Sequence, residues 1–227
     1  VFDMPPGFRY RFLPIPLPIR PRLPKEQRHR LLSELLTGLG QPVPDSEHVA
    51  FLPSRVSFYW KGTDRFLQAL ARLEDNRRFH LIVSGWGKDY ERAQQMVTPG
   101  MITFLPCAVS KPILYDFFSA VDLVVDQFIM GTYGLAAIEA MSTGAPVMMW
   151  VDDQAYLAKG WQPPPVLNAR SENTILDVLT GIVSGEIDLE AQGRAMHDWV
   201  RQTHGEEVVV PRFVEQCRTA LPGLSRS

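Results

Sequence analysis

Three stretches of this 227-residue sequence place charge, glycine and short polar side chains where chemistry could be done. The first runs Pro53-Ser54-Arg55-Val56-Ser57-Phe58-Tyr59-Trp60-Lys61-Gly62-Thr63-Asp64. A guanidinium and an ammonium converging on one cleft suit a diphosphate, with Arg55 as a fork and Lys61 as a point charge. Gly62 lets backbone approach, and Thr63 or Asp64 stands where it could cap a helix. The alternative is a surface arginine and a helix-start lysine. The pattern is not the GxxxxGK[ST] phosphate loop.

The second stretch is Ser84-Gly85-Trp86-Gly87-Lys88-Asp89. Its Gly-x-Gly reads as a tight turn with a positive φ. A dinucleotide fingerprint needs a third glycine, and Tyr90 occupies that place, so nicotinamide and flavin are disfavoured. The third stretch, Asp126 to Val147, is the most informative. Gly131 and Gly134 open a helix whose free N–H groups and positive dipole end would face an anion. Glu139 lies about one turn into that helix, on an apolar face. A carboxylate there needs a partner. A pair of vicinal ribose hydroxyls would serve, and so would a salt bridge to a core Arg or Lys.

The elements that position these loops alternate. Helices are expected at Lys25–Leu39, Thr63–Leu73, Tyr90–Val97, Pro112–Ala120 (capped by Ser110) and Gly134–Met141. Short apolar strands fall between them at His48–Pro53, His80–Val83, Ile102–Leu105, Leu123–Val125 and Pro146–Trp150. Strands without alternation are buried on both faces. The expected fold is therefore α/β, a Rossmann-like, doubly wound parallel sheet. Ligands then sit beyond the carboxyl ends of the strands, where the three stretches lie. From Ala169 on the chain reads as helical, at Glu172–Val183, Leu189–Thr203 and Val208–Leu221.

Residues 1–24 hold seven prolines. They read as an extended linker on a surface, ahead of one domain spanning 25–227. Residues 1–30 carry seven Arg or Lys against two acids. That charge fits a solvated linker, or else contact with an acidic partner or membrane headgroups.

Composition narrows the classes. Hydrophobic residues make up 45% and charged residues 21%, as in ordinary globular domains. A formal net charge of −2 gives no global field for nucleic acid. Two cysteines, Cys107 and Cys217, cannot build a disulfide scaffold or a cysteine metal site, and they fit a reducing, cytoplasmic setting. No apolar run approaches a membrane span or a signal peptide. A start at Val1 reads as a piece of something longer. His29, His48, His80, His197 and His204 lack ligand spacing. Asp152-Asp153 reads as helix capping or a solvated loop, and Pro163–Pro165 with Asn168 as a loop and strand edge.

The run GxxGxxxxEAMSxGAPV, from Gly131 to Val147, resembles the signature of retaining, family-4-type glycosyltransferases of the GT-B fold, in their C-terminal nucleotide-sugar domain. The Ser54–Asp64 loop resembles that family's Arg…Lys-Gly phosphate loop. The stretch ITFLPCAVSKPILYDFFSAVDLVV resembles its base-recognition strand and following helix. The likeness covers about residues 44–217, and the proline arm resembles the linker between the two GT-B domains. The N-terminal acceptor domain has no counterpart here.

The resemblance implies that Arg55 and Lys61 hold the donor diphosphate and that Glu139 bonds the ribose hydroxyls. It implies that backbone N–H groups of Tyr133, Gly134 and Leu135 meet the distal phosphate and sugar. The loop at Leu105, Pro106 and Cys107 would contact the base edge through its backbone. The family carries an acid eight residues before the second Glu; that position here is Gly131. Thr132 or Gln127 could replace it in touching the sugar, and a glutamate restored at Gly131 should raise activity if the site works on sugars. The nucleoside-diphosphate sugar is a substrate, with no further cofactor or metal, as the lack of Asp-x-Asp also indicates. Other readings are a nucleotide-binding scaffold, a subunit completed in trans, and a GT-B-type nucleotide-sugar epimerase.

Overall fold

The structure, a computed structural model, describes residues 14–97 and 100–220. In chain order it contains α1 (Lys25–Gly38), β1 (His48–Leu52), α2 (Phe58–Lys61), α3 (Thr63–Ala71), β2 (Phe79–Val83), α4 (Tyr90–Gln95), β3 (Ile102–Phe104) and α5 (Lys111–Ala120). It continues through β4 (Leu123–Val125), α6 (Leu135–Ser142), β5 (Val147–Met149), α7 (Asp153–Leu157), β6 (Leu167–Asn168), α8 (Glu172–Ser184), α9 (Leu189–His204) and α10 (Glu206–Ala220).

The strands form one parallel sheet in the order β3-β2-β1-β4-β5-β6. The short apolar runs become strands because both faces are covered: α3 packs with α8, while α1, α5, α6 and α9 pack in succession. Every residue of β2, β4 and β5 is buried. Phe51 stacks on Phe117 with ring centroids 4.7 Å apart. The order reverses between β1 and β4, and that crevice is where such sheets receive ligands.

Local chemistry sets the element ends. Ser57 caps α2 by accepting from the Trp60 N–H, 3.2 Å. The expected cap of α3 by Thr63 or Asp64 does not form. Gly62 occupies that position, and the Thr63 hydroxyl turns back to the Ser57 carbonyl. Ser110 stands at the N-cap of α5, but its carbonyl rather than its hydroxyl is used, by the Leu114 N–H. Asp152 does cap α7, accepting from the Ala155 N–H at 3.1 Å. Asn168 clamps both backbone groups of Val151 at 2.9 Å, which fixes the β6 edge.

The proline segment departs from its reading as a surface linker. Pro5, Pro6, Phe12 and Leu13 lie outside the described residues, as does Leu221. From Pro14 onward, however, the chain is a strap bound to the body. Leu17 is a core residue whose N–H donates to the His204 carbonyl, 2.8 Å, and whose carbonyl accepts from Glu206. The Arg20 N–H reaches the Ser142 carbonyl. Arg22 donates to the Val121 carbonyl at 2.8 Å. Burial, with Arg28 alongside, pulls its pKa down to about 10. Arg28 is buried between Asp122 and Glu190. Two of the basic residues assigned to a headgroup-facing arm therefore point inward. Among the described residues no helix is long and apolar enough to cross a membrane.

His80, on β2, bonds Thr103 through Nε2 at 2.9 Å. Burial drives its pKa down to about 4, and a hydrogen bond with the Gly100 backbone only partly opposes this. The unfolded chain binds this proton near pH 6.5, whereas the folded chain resists it until about pH 4. Stability should therefore be full above about pH 6.5 and fall by up to about 3 kcal/mol as the pH drops to 4. Denaturant unfolding of wild type and His80→Gln across that window should show the acid slope reduced in the variant.

Candidate functional site

The loops that leave the carboxyl ends of β1, β2, β3 and β4 are stitched to one another. After β1, the Val56 N–H donates to the Trp86 carbonyl at 2.9 Å. After β2, the Gly85 N–H donates to the Cys107 carbonyl at 3.1 Å. The Gly-x-Gly turn makes this packing possible. A Cβ at Gly85 would stand 2.2 Å from the Leu105 carbonyl oxygen. Gly87, at φ +126°, lies against the Val56 backbone. Tyr90, in the place of a third glycine, donates its hydroxyl to the Leu105 carbonyl at 2.6 Å.

Across the switch point the tie is ionic. Asp126, at the end of β4, is 0% exposed. Its Oδ1 accepts from Ser54 Oγ at 2.8 Å and from Lys61 Nζ at 2.7 Å. The Phe128 N–H donates to the Lys61 carbonyl at 2.8 Å, which joins the β4 loop to α2. Lys61 is thus held over the crevice by a carboxylate. Arg55, on the same loop, is exposed, and among the described residues it makes no hydrogen bond or ion pair.

The β4 loop leads into α6. Gly134 is its N-cap and makes no side-chain cap bond. Among the described residues nothing accepts from the backbone N–H groups of Tyr133, Gly134 or Leu135. They present donors and the positive end of the helix together. Glu139, further along α6, is 3% exposed and is ion-paired with Lys111 at the start of α5. The partner is thus an exposed lysine rather than the core Arg or Lys of the salt-bridge alternative, and a pair of vicinal hydroxyls would meet a carboxylate with one oxygen already engaged. Lys111 was not singled out from the sequence, because its partner lies 28 positions away.

The base-side loop offers less backbone than expected. The Leu105 N–H donates to the Val83 carbonyl at 2.9 Å, and the Leu105 carbonyl is taken by Tyr90. The Cys107 carbonyl is taken by Gly85. This leaves the Pro106 carbonyl and the Cys107 N–H, on a segment whose last two residues are exposed.

Neither side chain expected to replace the missing acid is at liberty. Gln127 braces its own loop. Its Nε2 donates to the Thr132 carbonyl at 2.6 Å, and its Oε1 accepts from the N–H groups of Ile129 and Met130. The Thr132 hydroxyl bonds the Tyr156 hydroxyl at 2.9 Å. The Tyr133 side chain turns inward among Tyr156, Trp199 and His204. Burial and Tyr156 push its pKa up to about 12. His204 bonds the Ile15 carbonyl through Nδ1 at 3.0 Å and the Tyr133 hydroxyl through Nε2 at 3.2 Å. Burial lowers its pKa. Nδ1 therefore carries the proton, and the Tyr133 O–H donates to Nε2. Among the described residues no group of three His, Cys, Asp or Glu could hold a metal ion.

Gly131 is closed to the acid that the resemblance places there. Its φ is +67°, and a Cβ would stand 3.0 Å from the Trp150 ring and 3.2 Å from the Asp152 Cβ. The Arg170 guanidinium lies over that ring, 4.0 Å from its centroid. Gly131→Ala and Gly131→Glu should each lower stability by about 1–3 kcal/mol in denaturant unfolding, the cost of a side chain held in the left-handed region. The glutamate should bring no gain in ligand affinity. A Gly131→Glu protein as stable as wild type would contradict this packing.

Residues 47–155 match the profile of the family described as glycosyl transferases group 1. No protein of curated function matches the sequence significantly. Solved structures match at low identity. The Anabaena protein Alr3699/HepE, in complex with UDP and glucose, aligns with 18% identity and a TM-score of 0.65 over 84% of this chain and 52% of its own. Sucrose-phosphate synthase from Thermosynechococcus elongatus aligns with 18% identity and a TM-score of 0.65 over 93% of this chain and 53% of its own. The C-terminal domain of the glycosyl transferase group 1 protein LpcC from Francisella tularensis aligns with 18% identity and a TM-score of 0.59 over 82% of this chain and 96% of that domain. The chain thus spans about half the length of HepE and of the synthase, and nearly all of a C-terminal domain. Over residues 47–155, then, the chain matches glycosyl transferases group 1, and its described body has the fold of the C-terminal, Rossmann-like half of a GT-B glycosyltransferase.

Proposed function

We propose that this chain is the donor-binding half of a glycosyltransferase. The whole enzyme would move a sugar from a nucleoside-diphosphate sugar to a saccharide or lipid-linked acceptor, with retention and without a metal. The observation that carries this reading is the meeting, at the switch point, of Lys61 on the β1 side with the open N-terminus of α6 on the β4 side, joined through Asp126. A cation and a row of unbonded N–H groups at one crevice suit an anion of diphosphate length. As the glycosidic bond breaks, negative charge grows on the departing nucleoside diphosphate. Arg55, Lys61 and the α6 dipole would stabilise it there. Glu139 would accept from the ribose hydroxyls, with Lys111 holding one of its oxygens. The acceptor and the groups that bind it would come from a second half, so this chain alone should bind donor without turning it over.

One observation favours a second reading. The position that carries an acid in the resembling family is a sterically closed glycine, as a nucleotide-binding module without catalysis would allow. The two readings part on binding of a sugar conjugate against the bare diphosphate.

Calorimetry with UDP, GDP, ADP and CMP is the direct test. Selective binding of one diphosphate is expected; no binding by any would overturn the donor-site reading. Lys61→Ala should weaken the diphosphate much more than the matching nucleoside, and equal losses would remove Lys61 from the phosphate. Glu139→Ala should weaken nucleotide binding by roughly 1.5–3 kcal/mol, as for a charge-assisted bond. Loss confined to the diphosphate, with the nucleoside unaffected, would place Glu139 elsewhere than at the ribose.

A further inference from the structure

The Asp126 carboxylate is half used. Its Oδ1 takes both Ser54 and Lys61, while its Oδ2 is buried with no hydrogen-bond partner among the described residues. A fully buried carboxylate oxygen left without a donor is costly, so the site is built to receive one. Gly134 shows where it would come from. A Cβ built on Gly134 would meet a single atom within 4 Å, Asp126 Oδ2 at 3.6 Å. Apart from its own chain neighbours, Gly134 therefore has only the orphan oxygen beside it, at the α6 N-terminus. The unbonded N–H groups of Gly134 and Leu135 belong to the same corner.

The chemistry of that corner selects its occupant. A phosphate oxygen cannot satisfy Oδ2, since both are acceptors and both carry negative charge. An ammonium would suit Oδ2 but would be repelled by Lys61 and the positive end of α6. A hydroxyl meets both demands, because its O–H donates to the carboxylate while its lone pairs accept from N–H. We infer that Asp126 is a sugar-recognition residue, whose Oδ2 accepts a hydrogen bond from one hydroxyl of the transferred sugar. This inference rests on the donor-site reading and deepens it: the donor's sugar must keep a free hydroxyl at that corner. It gives the function of the acid missing at Gly131 to a residue five positions earlier, where the backbone needs no left-handed turn.

Asp126→Asn tests it closely. The amide oxygen can keep Ser54 and Lys61, while the NH2 replaces an acceptor with a donor at the Oδ2 position. Binding is measured by calorimetry for UDP, GDP and ADP and for UDP-glucose, GDP-mannose and ADP-glucose. The pair that wild type binds best is carried forward. The variant should lose on the order of tenfold or more in affinity for the sugar conjugate, the scale of a charged hydrogen bond. Any change that comes from the altered hold on Lys61 is shared by the bare diphosphate, so the ratio of conjugate to diphosphate affinity should fall on the order of tenfold. Equal losses for both ligands would show that Asp126 acts only through Lys61, and unchanged affinities would remove it from the sugar; either result overturns the inference. Wild type that binds none of the six ligands would instead bring down the donor-site reading itself.

Should the variant fail to fold, monodeoxy analogues of the bound sugar conjugate carry the same test on wild type. One analogue should lose affinity by a similar factor. A series in which no deoxygenation matters overturns the assignment.

Discussion

A parallel sheet covered by helices on both faces has only its strand ends available for chemistry. Here that restriction is tightened at the middle of the sheet, where β1 and β4 are neighbours although the chain runs through two further strands between them. The crevice left there is bridged by one buried carboxylate. Asp126 reaches Ser54 and Lys61 on the far bank, and Lys61 in turn receives the Phe128 N–H on its carbonyl. Removing Lys61 or Ser54 from that arrangement would leave a fully buried charge with fewer partners, an expensive state in a low-dielectric interior. The loop conformations on both sides are thus set by one electrostatic demand.

Around this bridge the remaining site is assembled from backbone rather than from reactive side chains. The Gly85–Cys107 and Val56–Trp86 hydrogen bonds draw the first three loops together. Gln127 closes the fourth upon itself. Tyr133 and Thr132 send their side chains back toward Trp199, His204 and Tyr156, and the Tyr133 N–H has no acceptor among the described residues. Such an arrangement offers fixed dipoles that need no rearrangement when charge develops before them.

Much of this was legible in the sequence, and for definable reasons. Runs such as His80–Val83 and Leu123–Val125 are too short for helices and too uniform for exposed strands, so the sheet could be read directly. Gly85 and Gly87 announced a turn, and the turn is there. What could not be read depended on contacts between distant positions. Glu139 needed a partner, but nothing local pointed to Lys111 on another helix. Leu17 sits among prolines that signal extended chain, and extended chain can as well be packed as solvated. Gly131 carries no mark of its left-handed φ, which comes from the way the loop returns to Trp150 and Asp152. Asp126 looked like the ordinary end of a strand until its second oxygen was found alone.

His204 joins three parts of the chain at one imidazole ring: the strap at Ile15, the C-terminal end of α9, and the phenol of Tyr133. Its single proton makes the series directional, since the strap carbonyl can only accept and the tyrosine must then donate. In mechanical terms this is a short load path that bypasses the sheet. Ile15 is linked to the main chain at the mouth of α6 through two hydrogen bonds and one aromatic side chain. The strap is therefore a tendon in form, moored through one ring to the residue that precedes the α6 N-cap.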